Sequence, residues 1–147
     1  MSKPPTGGCA CGAVRYELKS KAFDAGWCHC RTCQLVSGAP AMVFASVPDG
    51  DLAFTRGADE VKTFPSSSFG HRAFCAACGT PLYMKVNHQP ETVDFSVATL
   101  DAPDRVVPGF HIFVSSKIDW FETADDLPRH ERFRPDTRGL EGTEPPV

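Results

Sequence analysis

The sequence predicts a mainly β domain, built of short antiparallel strands around paired cysteines. Three observations predict it. Many short stretches alternate or run apolar between turn signals. No stretch keeps an apolar period of 3.6 long enough for a long helix. The seven cysteines fall into tight groups of two, three and two. At 147 residues and 41% hydrophobic, the chain is sized for one domain with a core of its own.

Along the chain, residues 1–6 read as a flexible N-terminus. Gly7-Gly8-Cys9-Ala10-Cys11-Gly12 is a glycine-bracketed knuckle. Residues 13–18 alternate apolar and polar side chains, the period of a half-buried strand. Residues 23–27 lead into a second strand and deliver Cys28-His29-Cys30-Arg31-Thr32-Cys33. Residues 34–38 allow one short helical turn, stopped by Gly38 and Pro40. Residues 41–47 form an apolar run of strand length, and Asp49-Gly50 signals a turn. Residues 52–55 and 61–64 read as short strands, and residues 65–70 as a solvated loop.

Residues 71–74 run into the second knuckle, Cys75-Ala76-Ala77-Cys78-Gly79, and residues 81–86 form the strand after it. Residues 92–100 carry apolar side chains at Val93, Phe95 and Val97, the clearest strand period in the chain. Residues 109–114 are another strand, and residues 118–121 are expected to pack back on the body. The domain is therefore read as residues 7–133. From residue 134 to 147 the composition turns to Pro, Gly, Thr and charge, the pattern of a loose tail.

Composition narrows the function classes. Fifteen basic against eighteen acidic side chains leave a net charge of −3 and no basic stripe, which argues against a nucleic-acid partner. No apolar run is long enough to span a bilayer. The first residues lack the apolar core of a signal peptide, so the expected compartment is the cytoplasm, where thiols stay reduced. Seven cysteines cannot all pair, and C-x-C with C-x-x-C is spacing for metal ligation rather than disulfides.

A closed tetrahedral zinc site takes four ligands. Cys9, Cys11, Cys75 and Cys78 supply them, as a structural zinc site that ties the start of the chain to its middle. Cys28, Cys30 and Cys33 are then left as a three-ligand zinc site with an open fourth position, the design of reactive zinc sites. Water, an incoming ligand or a histidine can fill that position. His29, His71 and His111 are the internal candidates, and any one of them there would close the site. Three thiolates on Zn²⁺ sum to −1 and weaken its Lewis acidity, which favours capture of a thiol over activation of water. Attack of the captured sulfur on a carbonyl gives a hemithioacetal. Arg31 and Arg72 are candidate partners for the negative charge or for a substrate carboxylate.

Three segments together resemble the glutathione-dependent formaldehyde-activating enzyme family (the Gfa/CENP-V domain). They are Gly7-Gly8-Cys9-Ala10-Cys11-Gly12-Ala13-Val14-Arg15-Tyr16, Cys28-His29-Cys30-Arg31-Thr32-Cys33, and Phe74-Cys75-Ala76-Ala77-Cys78-Gly79-Thr80-Pro81-Leu82-Tyr83. Thr99-Leu100-Asp101, His111-Ile112 and Asp119-Trp120 are similar to its later segments. The resemblance implies an Mss4-like (β-tent) fold with two Zn²⁺ per chain. It implies a structural site at Cys9, Cys11, Cys75 and Cys78 and a catalytic site at Cys28, Cys30 and Cys33. It implies a carbon–sulfur lyase like S-(hydroxymethyl)glutathione synthase, with glutathione as co-substrate and a small electrophile such as an aldehyde as its partner. Two other uses fit the same cysteines: a non-catalytic, zinc-stabilised thiol carrier or protein-interaction module, and a redox or metal-storage protein.

Overall fold

The computed structural model describes residues 3–135. Met1, Ser2 and all but the first two residues of the tail expected over residues 134–147 lie outside the described residues. Among the described residues ten strands form two sheets. The smaller has the order β1-β2-β5 (Thr6–Gly8, Arg15–Leu18, Leu52–Arg56). The larger has the order β10-β3-β4-β9-β8-β7-β6. Its strands are β3 (Phe23–Cys28), β4 (Met42–Pro48), β6 (Val61–Ser67), β7 (Gly70–Cys75), β8 (Pro81–Val86), β9 (Thr92–Ser96) and β10 (His111–Ile112). Neighbours are antiparallel except β10, which lies parallel to β3. Among the described residues the one α-helix, α1, spans Arg31–Ser37. The mainly β architecture is the one expected from the short alternating runs.

The main core lies between the sheets. Tyr16 and Leu18 of β2 meet Ala45 and Val47 of β4 and Val93 and Phe95 of β9. Leu18, Val47 and Phe95 are at most 1% exposed, and burying each such side chain contributes roughly 1.5–3 kcal/mol. The Tyr16 hydroxyl lies 2.7 Å from Thr99 Oγ1, which itself donates to the Ser96 carbonyl, so Tyr16 is the donor of the pair. The opposite face of the larger sheet carries other chemistry. Cys28 pairs with Met42, Ser46 with Asp94, Asp94 with Met84, and Met84 with Arg72. Directly paired residues share a face of the sheet. Cysteine, arginine and aspartate therefore stand on one surface, which Phe113 and Phe133 partly cover.

Several boundaries differ from those the sequence predicts. The loop expected over residues 65–70 is mostly strand: β6 continues until Ser67 pairs with Gly70, and only Ser68 and Phe69 turn. β9 ends at Ser96, because Val97–Thr99 coils into a 3₁₀ turn that keeps Val97 buried. The strand expected over residues 109–114 shrinks to His111–Ile112, because Phe113 takes a left-handed φ of 57°. Of the segment meant to pack back, Phe121 contacts Trp27 and His29, while Trp120 is 73% exposed. At the N-terminus the Pro5 carbonyl accepts from Leu18 N–H, and Thr6 already opens β1.

Candidate metal centres and active site

The first knuckle is a turn in which Gly12 N–H donates to the Cys9 carbonyl. In the second, Gly79 N–H donates to the Cys75 carbonyl at 2.7 Å. Gly12 and Gly79 hold φ of 80° and 84°, a region that side chains other than glycine rarely enter, so each turn needs its glycine. The Ala10 N–H donates to Thr80 Oγ1, which fastens the two turns to each other. The four sulfurs of Cys9, Cys11, Cys75 and Cys78 lie within 4.8 Å of one another. Cys9–Cys11 and Cys11–Cys75 are separated by 3.6 and 4.0 Å. Four sulfurs at 2.3 Å around a tetrahedral ion lie about 3.8 Å apart. The cluster therefore fits a zinc ion with little adjustment.

The second cluster is local in sequence and differently built. Cys28 ends β3, and Cys30 is the N-cap of α1, where its sulfur accepts from Cys33 N–H at 3.3 Å. Cys33 lies three residues on, so the first helical turn sets both sulfurs on one side. This is why the helix begins at Arg31 and not after Cys33, as the apolar pattern suggests. The sulfurs of Cys28, Cys30 and Cys33 again lie within 4.8 Å of one another. Cys28 and Cys33 are buried, and Cys30 is partly open. Hydrogen bonds from the Cys28 and Cys33 thiols hold the Cys30 thiol down at about 2, helped by Cys33 N–H and the charge of Arg72. The Cys28 thiol is pushed up by its bonds to the other two sulfurs and by burial. The cluster thus favours a thiolate already at neutral pH, and its donor set fits a soft cation such as zinc.

Among the described residues, no histidine joins these three sulfurs. The His29 ring turns away, and its Nε2 lies 2.8 Å from His111 Nδ1. His111 Nε2 in turn lies 3.0 Å from Asp125 Oδ1. The carboxylate accepts a hydrogen bond from Nε2–H, so in the neutral ring His111 Nδ1 is an acceptor and His29 Nε2 its donor. Trp27 stacks on His111 with ring centroids 5.9 Å apart. His29 and His111 thus belong to a buried chain behind the cysteines. Gln34 adds a tie, its Nε2 donating to the His29 carbonyl at 2.8 Å.

Of the two arginines singled out by sequence, Arg31 bonds locally to Gln34 Oε1. Arg72 reaches the cluster. Its Nη2 donates to Cys33 Sγ at 3.3 Å, and its guanidinium lies over the Phe44 ring, 5.6 Å from the centroid. Arg72 is buried, and among the described residues no carboxylate pairs with it. A cavity of about 320 Å³ opens beside Cys28 and Cys30. Residues 66–70 of the β6–β7 hairpin form one wall, with His71 and Arg72, and Phe113 and Phe133 form another. The hairpin read from sequence as a plain solvated connection therefore borders the cysteine site. Asp94, Gln34, Asp125 and Phe133 were not singled out by sequence. Only Asp94 left a trace there, as an acid inside an apolar strand.

Comparison with known proteins agrees with this arrangement. The model of the glutathione-dependent formaldehyde-activating enzyme family matches residues 4–116. A Halomonas elongata protein provisionally named a glutathione-dependent formaldehyde-activating enzyme is 28% identical over 79% of this chain and 78% of its own. A Podospora anserina protein with the same provisional name is 32% identical over 76% of this chain and 54% of its own. An uncharacterised lyase of Schizosaccharomyces pombe is 32% identical over 52% of this chain and 54% of its own. The chain thus spans about half the length of the two fungal relatives. A Rhodobacter sphaeroides protein of known crystal structure superposes with a TM-score of 0.56 at 28% identity, covering 70% of this chain and 91% of that one. With the family model spanning both cysteine clusters and most of the chain, this protein belongs to the glutathione-dependent formaldehyde-activating enzyme family.

Proposed function

We propose that the chain is a zinc-dependent carbon–sulfur lyase that joins a small thiol, glutathione first, to a small electrophile such as an aldehyde, or cleaves the adduct. In this reading Cys9, Cys11, Cys75 and Cys78 hold a structural zinc, and Cys28, Cys30 and Cys33 hold the zinc of the active site. The observation that carries it is Arg72, a buried cation bonded to Cys33 Sγ beside an open cavity. Three thiolates around Zn²⁺ sum to −1, and a buried guanidinium is the counter-charge such a unit needs. The family and the relatives' names support the glutathione-linked lyase class.

The zinc, when bound, supplies deprotonation of an incoming thiol at neutral pH. The rest falls to the chain's own side chains. Arg72 balances the added negative charge. Met84, Val86, Ile112, Phe113 and Phe133 keep water from the reacting atoms. The sulfur of the thiol adds to the carbonyl carbon, and the proton it gives up ends on the carbonyl oxygen. No electron is gained or lost. The seven free thiols suit a reducing compartment, the cytoplasm. Among the described residues no helix is long and apolar enough to cross a membrane.

The test is adduct formation from glutathione and formaldehyde, followed by exchange NMR with the zinc-loaded chain. Turnover above the free-thiol rate is expected. Cys30→Ser should abolish it and leave the far-UV circular dichroism unchanged. Equal activity in that variant sinks the proposal. Tight glutathione binding without any gain in rate would instead mark a thiol carrier.

A further inference from the structure

A second cavity, of about 90 Å³, lies on the same face of the larger sheet. Phe23, Phe44, Phe110 and Phe133 contribute its aromatic walls, and Asp94 sits among them. The Asp94 carboxylate accepts one hydrogen bond, from Ser46 Oγ at 2.5 Å. Among the described residues no cation pairs with it. Burial pushes its carboxyl up to about 6, so at neutral pH it is mostly an anion in an apolar setting. An uncompensated buried charge is costly, and a cation from a ligand would relieve it. The walls already show that they accept one: the Arg134 guanidinium, paired with Asp24 at 3.3 Å, lies 4.1 Å from the centroid of Phe110. A divalent metal is a poor match, since it takes six or more oxygens or keeps its waters. An aromatic enclosure with a carboxylate is chemistry for an organic ammonium.

The placement connects this cavity to the cysteine site. Cys28, Met84, Val86, Ile112 and Phe133 line both cavities. Cys28 pairs with Met42, and Asp94 with Ser46, four residues further along β4. That is about 13 Å at 3.3 Å per residue. Asp94 is thus out of reach of a sulfur held at Cys28, but in line with the far end of an extended thiol. We propose that this cavity binds the ammonium group of the thiol co-substrate, with Asp94 as its counter-ion. The proposal rests on the thiol-binding reading above and names the class of thiol: one with a primary amine several bonds from sulfur, as in glutathione.

Calorimetric titration of the zinc-loaded chain at pH 8 tests it, with glutathione and with its deaminated counterpart, the same tripeptide thiol lacking the amine. The wild type should bind glutathione about 10- to 100-fold more tightly, the range of a hydrogen bond to a charged group. Asp94→Asn should bring glutathione down to the level of the deaminated thiol and leave the latter unmoved. Equal affinity of the wild type for both thiols overturns the proposal. So does equal weakening of both by the variant, and so does no measurable binding of either. The wild-type comparison needs no variant to fold. S-methylglutathione and its deaminated form separate this site from the thiol reading. If a blocked sulfur costs nothing, the thiol reading fails, and the ammonium preference of the blocked pair still decides whether Asp94 is a site.

Discussion

The two cysteine clusters each hold their sulfurs within 4.8 Å of one another and differ in nearly everything else. Cys9, Cys11, Cys75 and Cys78 come from two turns 64 residues apart, and two of the four are exposed. Cys9 and Cys75 pack with Val14 and Leu82, and Phe54, Val61 and Tyr83 lie against them. Cys28, Cys30 and Cys33 come from one strand end and one helical turn. They face a buried arginine and a cavity in front, and a His29–His111–Asp125 chain behind. The difference separates closing a fold from presenting a centre. A distant pair of knuckles gains most from a metal cross-link, because it closes a long loop. A local triplet closes almost none, so a metal there contributes little to the fold and is available for chemistry.

Removing one ligand from each cluster should therefore give opposite results. Cys75→Ser should cost about 4 kcal/mol or more, since it opens the cross-link and leaves a polar group at a position that is 0% exposed. The expected outcome is a broadened amide spectrum and loss of cooperative thermal unfolding. Cys30→Ser, at the helix N-cap, should keep a sharp unfolding transition and one of two zincs by elemental analysis. Similar losses of stability in both would erase the proposed division.

The next effect is confined to the triplet. Arg72→Met keeps an apolar stem against Phe44 and removes the charge beside Cys33. A buried charge deprived of its partner costs about 2–5 kcal/mol, so kcat/KM for glutathione should fall about 100-fold or more. The zinc of the four-cysteine cluster should stay. Loss of both metals to a chelator at equal rates would show that Arg72 supports the whole domain and not the triplet.

How much of this contrast was legible depends on the range of the interaction that fixes each part. Cysteine spacing and flanking glycines are local, and the division into four and three follows from them. So do the strands expected over residues 41–47 and 81–86, which stand at 42–48 and 81–86. Arg72 was visible only as one of two equal candidates. Its rank over Arg31 comes from the β7–β8 register, which puts Arg72 beside Met84 on the cysteine face. The role of His29 was set by His111 and Asp125, 82 and 96 positions away, and no local pattern encodes that encounter. Ser66 and Ser67 read as loop because serine and proline are poor strand formers. Pairing with β7 overrides that preference. The helix start was missed because cysteine is not among the usual caps.

The smallest effect is a gain in stability, and pH gives it a sign. The carboxyl of Asp94 sits at about 6 in the folded chain, against an ordinary 3.8, chiefly through burial. The folded state therefore holds this proton more tightly than the unfolded state. Stability is fullest below pH 3.8 as far as this group is concerned, and is lost as pH rises toward and through 6. A two-unit shift corresponds to roughly 3 kcal/mol, and partial access to the cavity reduces this to about 2 kcal/mol. Asp94→Asn removes the charge and keeps an acceptor for Ser46. The variant should be about 2 kcal/mol more stable than the wild type in urea unfolding at pH 8, with the gain roughly halved at pH 5. A gain of the same size at both values would mean that shape and not charge sets the cost. A loss at pH 8 would mean that a cation already compensates Asp94 in the free chain, and would remove the reason for a ligand's ammonium to bind there.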